Sequence, residues 1–390
     1  MRLQLVLLLA MLVSTGATFA QAADETTRAA MSRMVDALHS VLPLSLDNRT
    51  FSATENRAAI QAALEALARS GRELPDHASP TDAGFVFLSR SLARDTEAIQ
   101  ARFEAGRWQQ ARFLLHEVTE NCVACHSRRP DPLTRPLGRR LVDAQALAEL
   151  PLTERVRLEI ATRQFDRALE SYTELLASPD FSPADLDLMG HLDGYLELCL
   201  RVRVEACQPA PVLARLAARD NVLPVLRRNL EAWQGSLRRL ERRRPLQPDL
   251  AEVRRLVAEA GDRDEFPDDR SGLVLYFTAS GLGSRYLDEG EPGLKELSEA
   301  YYWLGFVETR VGRAFWPSEG EYYLEAAIRV APGSDTAEQA YDLLEEVVAI
   351  GYSGSEGTPP PEDVRVRLAE LRRLNVEAGR LVPPAEPAVR

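Results

Sequence analysis

The sequence predicts an all-α protein in two parts, a four-helix bundle followed by a longer helical array. Three observations carry this. Apolar residues recur at helical spacing along the chain. No β-hairpin signature interrupts them. A stretch with Pro130, Pro132 and Pro136 cuts the helical pattern in two. At 390 residues and 45% hydrophobic content, the chain is long and apolar enough for two cores.

Residues 1–22 read as a secretion signal. Arg2 supplies the positive start, Leu3 to Val13 the apolar run, and Ala20-Gln21-Ala22 the cleavage site. The run is short for a membrane span, so the expectation is an exported, periplasmic protein with no span after cleavage, an uncleaved signal that acts as an anchor being the alternative. The formal charge of −12 becomes −13 when Arg2 leaves. Such a polyanion argues against nucleic-acid binding. Lys295 is the only lysine, a bias of composition rather than of function.

Residues 23–129 divide into four helical segments. The first carries Met31, Met34, Val35, Leu38, Val41 and Leu42 on one stripe. The second opens at Ser52 with Glu55 three residues on, a capping box, and buries Ile60, Ala63, Leu64 and Leu67 before Gly71. The third starts with Ser79 as N-cap, Pro80 at N1 and Asp82 in the first turn. Its inward face is Phe85, Leu88, Leu92, Ile99 and Phe103, and Gly106 ends it. The fourth runs from Trp108 through Ala111, Leu115, Val118, Cys122 and Cys125. Four such helices on short loops pack most simply as an antiparallel bundle.

Residues 130–142 are expected to be a proline-rich linker, 143–380 a helical repeat domain and 381–390 a disordered tail. In one candidate helix pair, Phe165, Ala168, Tyr172 and Leu176 mark the second helix and Pro179 follows it. In another, Tyr302, Leu304 and Gly305 precede Ala326, Ala327 and Pro332. These pairs resemble tetratricopeptide repeats, although the loop at 315–320 is longer and no strict 34-residue period survives. The resemblance implies a domain that binds a protein partner.

The chemistry concentrates in Cys122-Val123-Ala124-Cys125-His126. Two thiols and an imidazole fall on one helical turn, with His126 four residues beyond Cys122. That spacing suits thioether attachment of one haem c through Cys122 and Cys125, with His126 as proximal iron ligand. A zinc site would want a second pair at similar spacing, and Cys199 and Cys207 do not supply it. A thioredoxin-like motif would want a βαβ unit. Placed at the end of a fourth helix, the motif makes residues 24–129 resemble the class II c-type cytochromes, the cytochrome c-prime group. The resemblance implies the thioether links, the axial histidine and a haem inside the bundle. Where that family carries an aromatic and then a basic residue after the histidine, this chain has Arg129 and Pro130.

Met31 or Met34 is the candidate distal ligand on the family pattern, with core packing as the alternative. His39, His77 and His116 are further candidates. A Met/His pair would make an electron carrier and an open site a binder or sensor of nitric oxide or similar ligands. A peroxidase would want a second haem or a distal acid–base pair, so no enzyme is expected.

Three other features leave alternatives open. Cys199 and Cys207 form either a disulfide, if Leu200–Ala206 turns, or two buried thiols. Arg238, Arg239, Arg242, Arg243 and Arg244 are either charges complementing a helix C-terminus after Trp233 or a docking patch for an acidic redox partner protein. Arg128 and Arg129 are placed to pair with haem propionates.

Overall fold

The structure is a computed structural model. It describes residues 26–45, 48–77, 83–128, 150–188, 190–203, 207–262, 269–311, 319–352 and 359–380. The signal segment, the proline-rich stretch 130–142 and the tail 381–390 lie outside these residues. Every regular element among the described residues is helical. None of these helices is long and apolar enough to cross a membrane.

The chain divides into two compact units, Met1–His126 with Leu133–Ala168, and Ser127–Pro132 with Leu169–Arg390. The first unit holds α1 (26–41), α2 (Arg57–Glu73), α3 (Ala83–Glu104), α4 (Trp108–Arg128) and α5 (Leu152–Ala161). One core draws on all five. Met34, Leu38 and Val41 meet Ile60, Leu64 and Leu67, together with Ile99, Phe103, Ala111, Leu115, Val118 and Leu158. Fully burying each such aliphatic contributes about 1.5–3 kcal/mol, which is why the stripes decide the packing.

Sharp local devices fix the turns. Gly106 has φ +71°, and α3 closes with Gly106 N donating to Phe103 O and Arg107 N to Arg102 O. This is a Schellman cap, whose left-handed position suits glycine. Between α1 and α2, a helical turn over Asn48–Ser52 sends Phe51 into the core, where its ring meets Phe103 edge-on at 5.5 Å.

Two expectations need correction. Ser52 is not the N-cap of α2: its hydroxyl donates backwards to Asn48 O at 2.8 Å, because Phe51 draws residues 48–52 into their own turn, and α2 starts at Arg57. Gly71 does not end α2, which continues to Glu73. A β-carbon at Gly71 would lie 2.7 Å from Thr96 Oγ1, so this glycine lets α2 and α3 approach closely. Leu150 and Leu158 are buried in the core of the first unit, and the division between the units falls after Ala168. Ser79, Pro80 and Asp82 lie outside the described residues.

The second unit contains the remainder of α6 (Phe165–Ala177), then α7 (Pro183–Leu188), α8 (His191–Glu197) and a π-turn over Leu198–Val202. Next come α9 (Pro209–Ala217), α10 (Pro224–Arg243), α11 (Leu250–Gly261) and α12 (Leu273–Glu289). It ends with α13 (Leu294–Val311), α14 (Glu319–Val330), α15 (Asp335–Tyr352) and α16 (Glu362–Gly379). Leu273 to Gly283 of α12 is buried on every side, as a helix at the centre of a unit must be. From α11 to α16 each helix packs on the next, and α13 also touches α11 and α15. Gly305 sets the α13–α14 approach, where a β-carbon would lie 2.8 Å from Leu324 Cγ.

Two of the five arginines in the run at the end of α10 are committed to the neighbouring helix. Arg239 and Arg243 pair with Glu259 (3.1 Å) and Glu252 (2.5 Å) of α11, and Arg255 joins both acids. Only Arg238, Arg242 and Arg244 of the run are exposed, and Arg244 lies 3.7 Å from Glu241.

Candidate cofactor-attachment site

The site residues lie on the last turns of α4. Ala111, Leu115 and Val118 are buried on its inward stripe, and Cys122 continues that stripe as a half-buried thiol. The Cys122 sulfur lies 3.8 Å from Val118 O. The Cys125 side chain lies outside the described residues, as do those of Arg128 and Arg129.

His126 is the most informative member. Its Nδ1 is enclosed and has no hydrogen-bond partner among the described residues. Burial, and after it the Arg163 guanidinium, push its pKa down to about 3, although hydrogen bonds to the backbone of Ala161 and Ile160 act the other way. The imidazole is therefore neutral, with a lone pair to offer a metal at physiological pH. An enclosed nitrogen without a hydrogen-bond partner, one turn from a cysteine sulfur, fits the requirements of covalent haem attachment.

The first half of α4 is braced by the elements around it. Arg112 Nε donates to Ser45 O at 2.5 Å, and His116 Nε2 lies 3.2 Å from that carbonyl and 3.1 Å from Ser45 Oγ. His116 Nδ1 is 3.6 Å from Glu154 Oε2 on α5. His116 is thus held between the turn after α1 and the start of α5, an engagement that leaves it a brace instead of a distal ligand. His39 is exposed, and the His77 side chain lies outside the described residues.

Comparisons with protein-family models, curated proteins and solved structures find no match.

Met34 is in the core at 4% exposure, while Met31 is partly buried against it. Nothing among the described contacts brings either sulfur to His126. Among the described residues no group of three or more His, Cys, Asp or Glu side chains converges as a metal cage. Haem iron needs only one or two protein ligands, the porphyrin providing the rest.

In the second unit Cys199 and Cys207 are bonded, with α-carbons 5.1 Å apart. The π-turn at 198–202 and the turn closed by Cys207 N on Arg203 O (2.9 Å) supply the bend that a straight helix lacks. Sequence reading missed the buried group beside it. Arg201 pairs with Glu308 at 2.6 Å and Glu197 at 2.8 Å, stacks over Phe277 at 5.0 Å, and shares Glu308 with Ser280 Oγ at 3.0 Å. A separation of 107 residues hid the Arg201–Glu308 pair, and only the i, i+4 spacing of Glu197 and Arg201 was there to find.

Proposed function

We propose that this chain is a periplasmic monohaem c-type cytochrome that carries electrons, with a helical repeat region that binds a protein partner. The observation carrying the reading is the His126 imidazole: neutral, enclosed at Nδ1 without a partner, and one helical turn beyond the Cys122 thiol. The spacing of Cys122, Cys125 and His126 matches what two vinyl additions and one axial bond on a single porphyrin face require. When bound, the haem supplies a one-electron iron couple whose potential depends on its axial ligands and surroundings.

The chain's own residues have separable tasks. Cys122 and Cys125 would hold the porphyrin by thioether bonds, and His126 would hold the iron. The stripe of Leu115 and Val118 leads into the apolar core and keeps water from that side of the site. The Ser45, Arg112, His116 and Glu154 contacts fix α4 against the turn after α1 and against α5. In the second unit, the succession of helix-on-helix contacts from α11 to α16 supports a solenoid-like array, an architecture that offers extended surfaces to proteins.

The test is expression in cells with working haem c maturation, then acidified acetone extraction and a pyridine haemochrome spectrum. One haem per chain should stay with the wild-type protein and be lost from the double variant Cys122→Ser, Cys125→Ser. A colourless wild-type protein ends the proposal. Met31→Ala and Met34→Ala, followed by the ferric spectrum, assign the sixth position.

A further inference from the structure

The arginines of α10 that α11 does not engage share one outer face. Arg228, Arg238 and Arg242 are exposed, and none has an ion pair among the described residues. Helical spacing sets them on one side, in a row that begins with Val225 at 51% exposure. Glu231 is the one acid in that row, so the face is net positive on a chain whose formal charge is −12.

The opposite pattern lies on α15, a helix with no basic residue. Its exposed side carries Asp335, Glu338, Asp342 and Glu346, and ends in Ile350 at 67% exposure. These carboxylates have no ion pair among the described residues. Glu338, Asp342 and Glu346 follow one another at four-residue spacing, where like charges destabilise a helix. A cationic surface laid on this face relieves that repulsion.

Run antiparallel, the two faces match from end to end. Val225 and Ile350 are the apolar ends. At about 1.5 Å per residue, Arg228, Arg238 and Arg242 stand roughly 5, 20 and 26 Å from Val225 along the axis. Glu346, Glu338 and Asp335 stand roughly 6, 18 and 23 Å from Ile350. Each arginine then finds a carboxylate at nearly its own height, within the span of its side chain. Glu231 meets no cation of α15 and keeps the contact weak.

We infer that the α10 face docks the α15 face of a second copy of this chain. The contact is heterologous, one patch meeting a different one, so it leads to a ring or to a row of copies. Exposed ion pairs are individually weak and screened by salt, so the association depends strongly on ionic strength. It needs neither the haem nor a foreign protein, and its fate is separate from that of the function proposed above.

The test is sedimentation velocity of the purified protein over a concentration series. It is run at an ionic strength of about 0.01 M and again at about 1 M, where the screening length falls from about 30 Å to about 3 Å. Wild-type protein should grow in average mass with concentration at low salt and return to a single chain at high salt. Arg228→Glu with Arg238→Glu should weaken association at least about tenfold, as should Glu338→Arg with Glu346→Arg. These side chains are exposed, so both variants should keep the wild-type circular dichroism. Arg228→Gln with Arg238→Gln repeats the loss without adding charge. An equimolar mixture of the two charge-reversed proteins should associate again, because the altered α10 of one then meets the altered α15 of the other. Wild-type protein that stays a single chain at low salt overturns the inference and leaves the α10 arginines to an acidic surface of another protein. Association that ignores salt, survives either reversal or does not return on mixing overturns it as well.

Discussion

Helices α1 to α4 and the second unit solve the same problem, packing amphipathic helices, with different materials. Among the described residues of α1 to α4 and their turns, the buried polar side chains are hydroxyls: Ser45, Ser70, Ser89 and Thr96. The second unit buries ions and a disulfide, with Arg201 and Glu308 each about 5% exposed or less. Hydroxyls satisfy themselves locally; Thr96 Oγ1, for example, donates to Leu92 O one turn back at 2.8 Å. Buried ions need a partner from elsewhere in the chain, and so they specify which helices must meet. The first arrangement leaves the apolar stripe free to extend to Cys122. The second ties distant segments together by named pairs.

The largest effect should come from removing one half of the buried pair. Arg201→Ala leaves Glu308 enclosed and should cost the second unit about 3–5 kcal/mol in denaturant unfolding. Arg201→Met combined with Glu308→Leu should recover most of that loss. If the double variant stays as unstable as the single one, the pair is more than a packing device and the contrast between the regions sharpens. Next, Cys199→Ser should lower stability by about 2–3 kcal/mol, and wild-type protein should lose a similar amount when a reductant is added. A melt insensitive to reductant would erase that half of the comparison.

A matched pair of glycine variants probes close helix contact in both regions. Gly71→Ala and Gly305→Ala should each cost about 1–3 kcal/mol in thermal or denaturant melts, because Thr96 and Leu324 must give way. The smallest effect concerns acid. The Arg254 hydrogen bond holds Glu299 below the usual carboxylate range. A lowered folded pKa means stability that is present above the unfolded value and lost as pH falls through the folded one. The pair is partly exposed, so Arg254→Gln should remove less than about 1 kcal/mol at neutral pH and flatten the acid limb of the stability curve.

Local sequence made the first core legible because its information is periodic. Met34, Leu38, Ile60, Leu64, Leu67, Leu92, Ile99, Phe103, Ala111 and Leu115 all face inward as their spacing requires. The Cys-x-x-Cys-His pattern was equally readable, since its geometry is contained in one helical turn. What escaped depends on partners far along the chain. Ser52 and Glu55 have the letters of a capping box, but burial of Phe51 outweighs a cap worth about 1 kcal/mol. Gly71 looks like a stop until Thr96 is known to lie against it. Arg163, whose φ is +58°, carries no local signal at all, because a left-handed arginine is indistinguishable in sequence from an ordinary one. The membership of α5 in the first core was hidden for the same reason. Its apolar residues identify a helix, not the unit that receives it.

That membership has a practical bearing on anyone dissecting the molecule. A fragment severed near residue 129 would strip away Leu150 and Leu158, leaving a greasy scar where they had been, and would take with it the carboxylate that steadies His116. Sticky, poorly behaved material from such a cut would say nothing against the haem proposal. A fragment that keeps these contacts must run past the end of α5 at Ala161, some thirty residues after the end of α4 at Arg128.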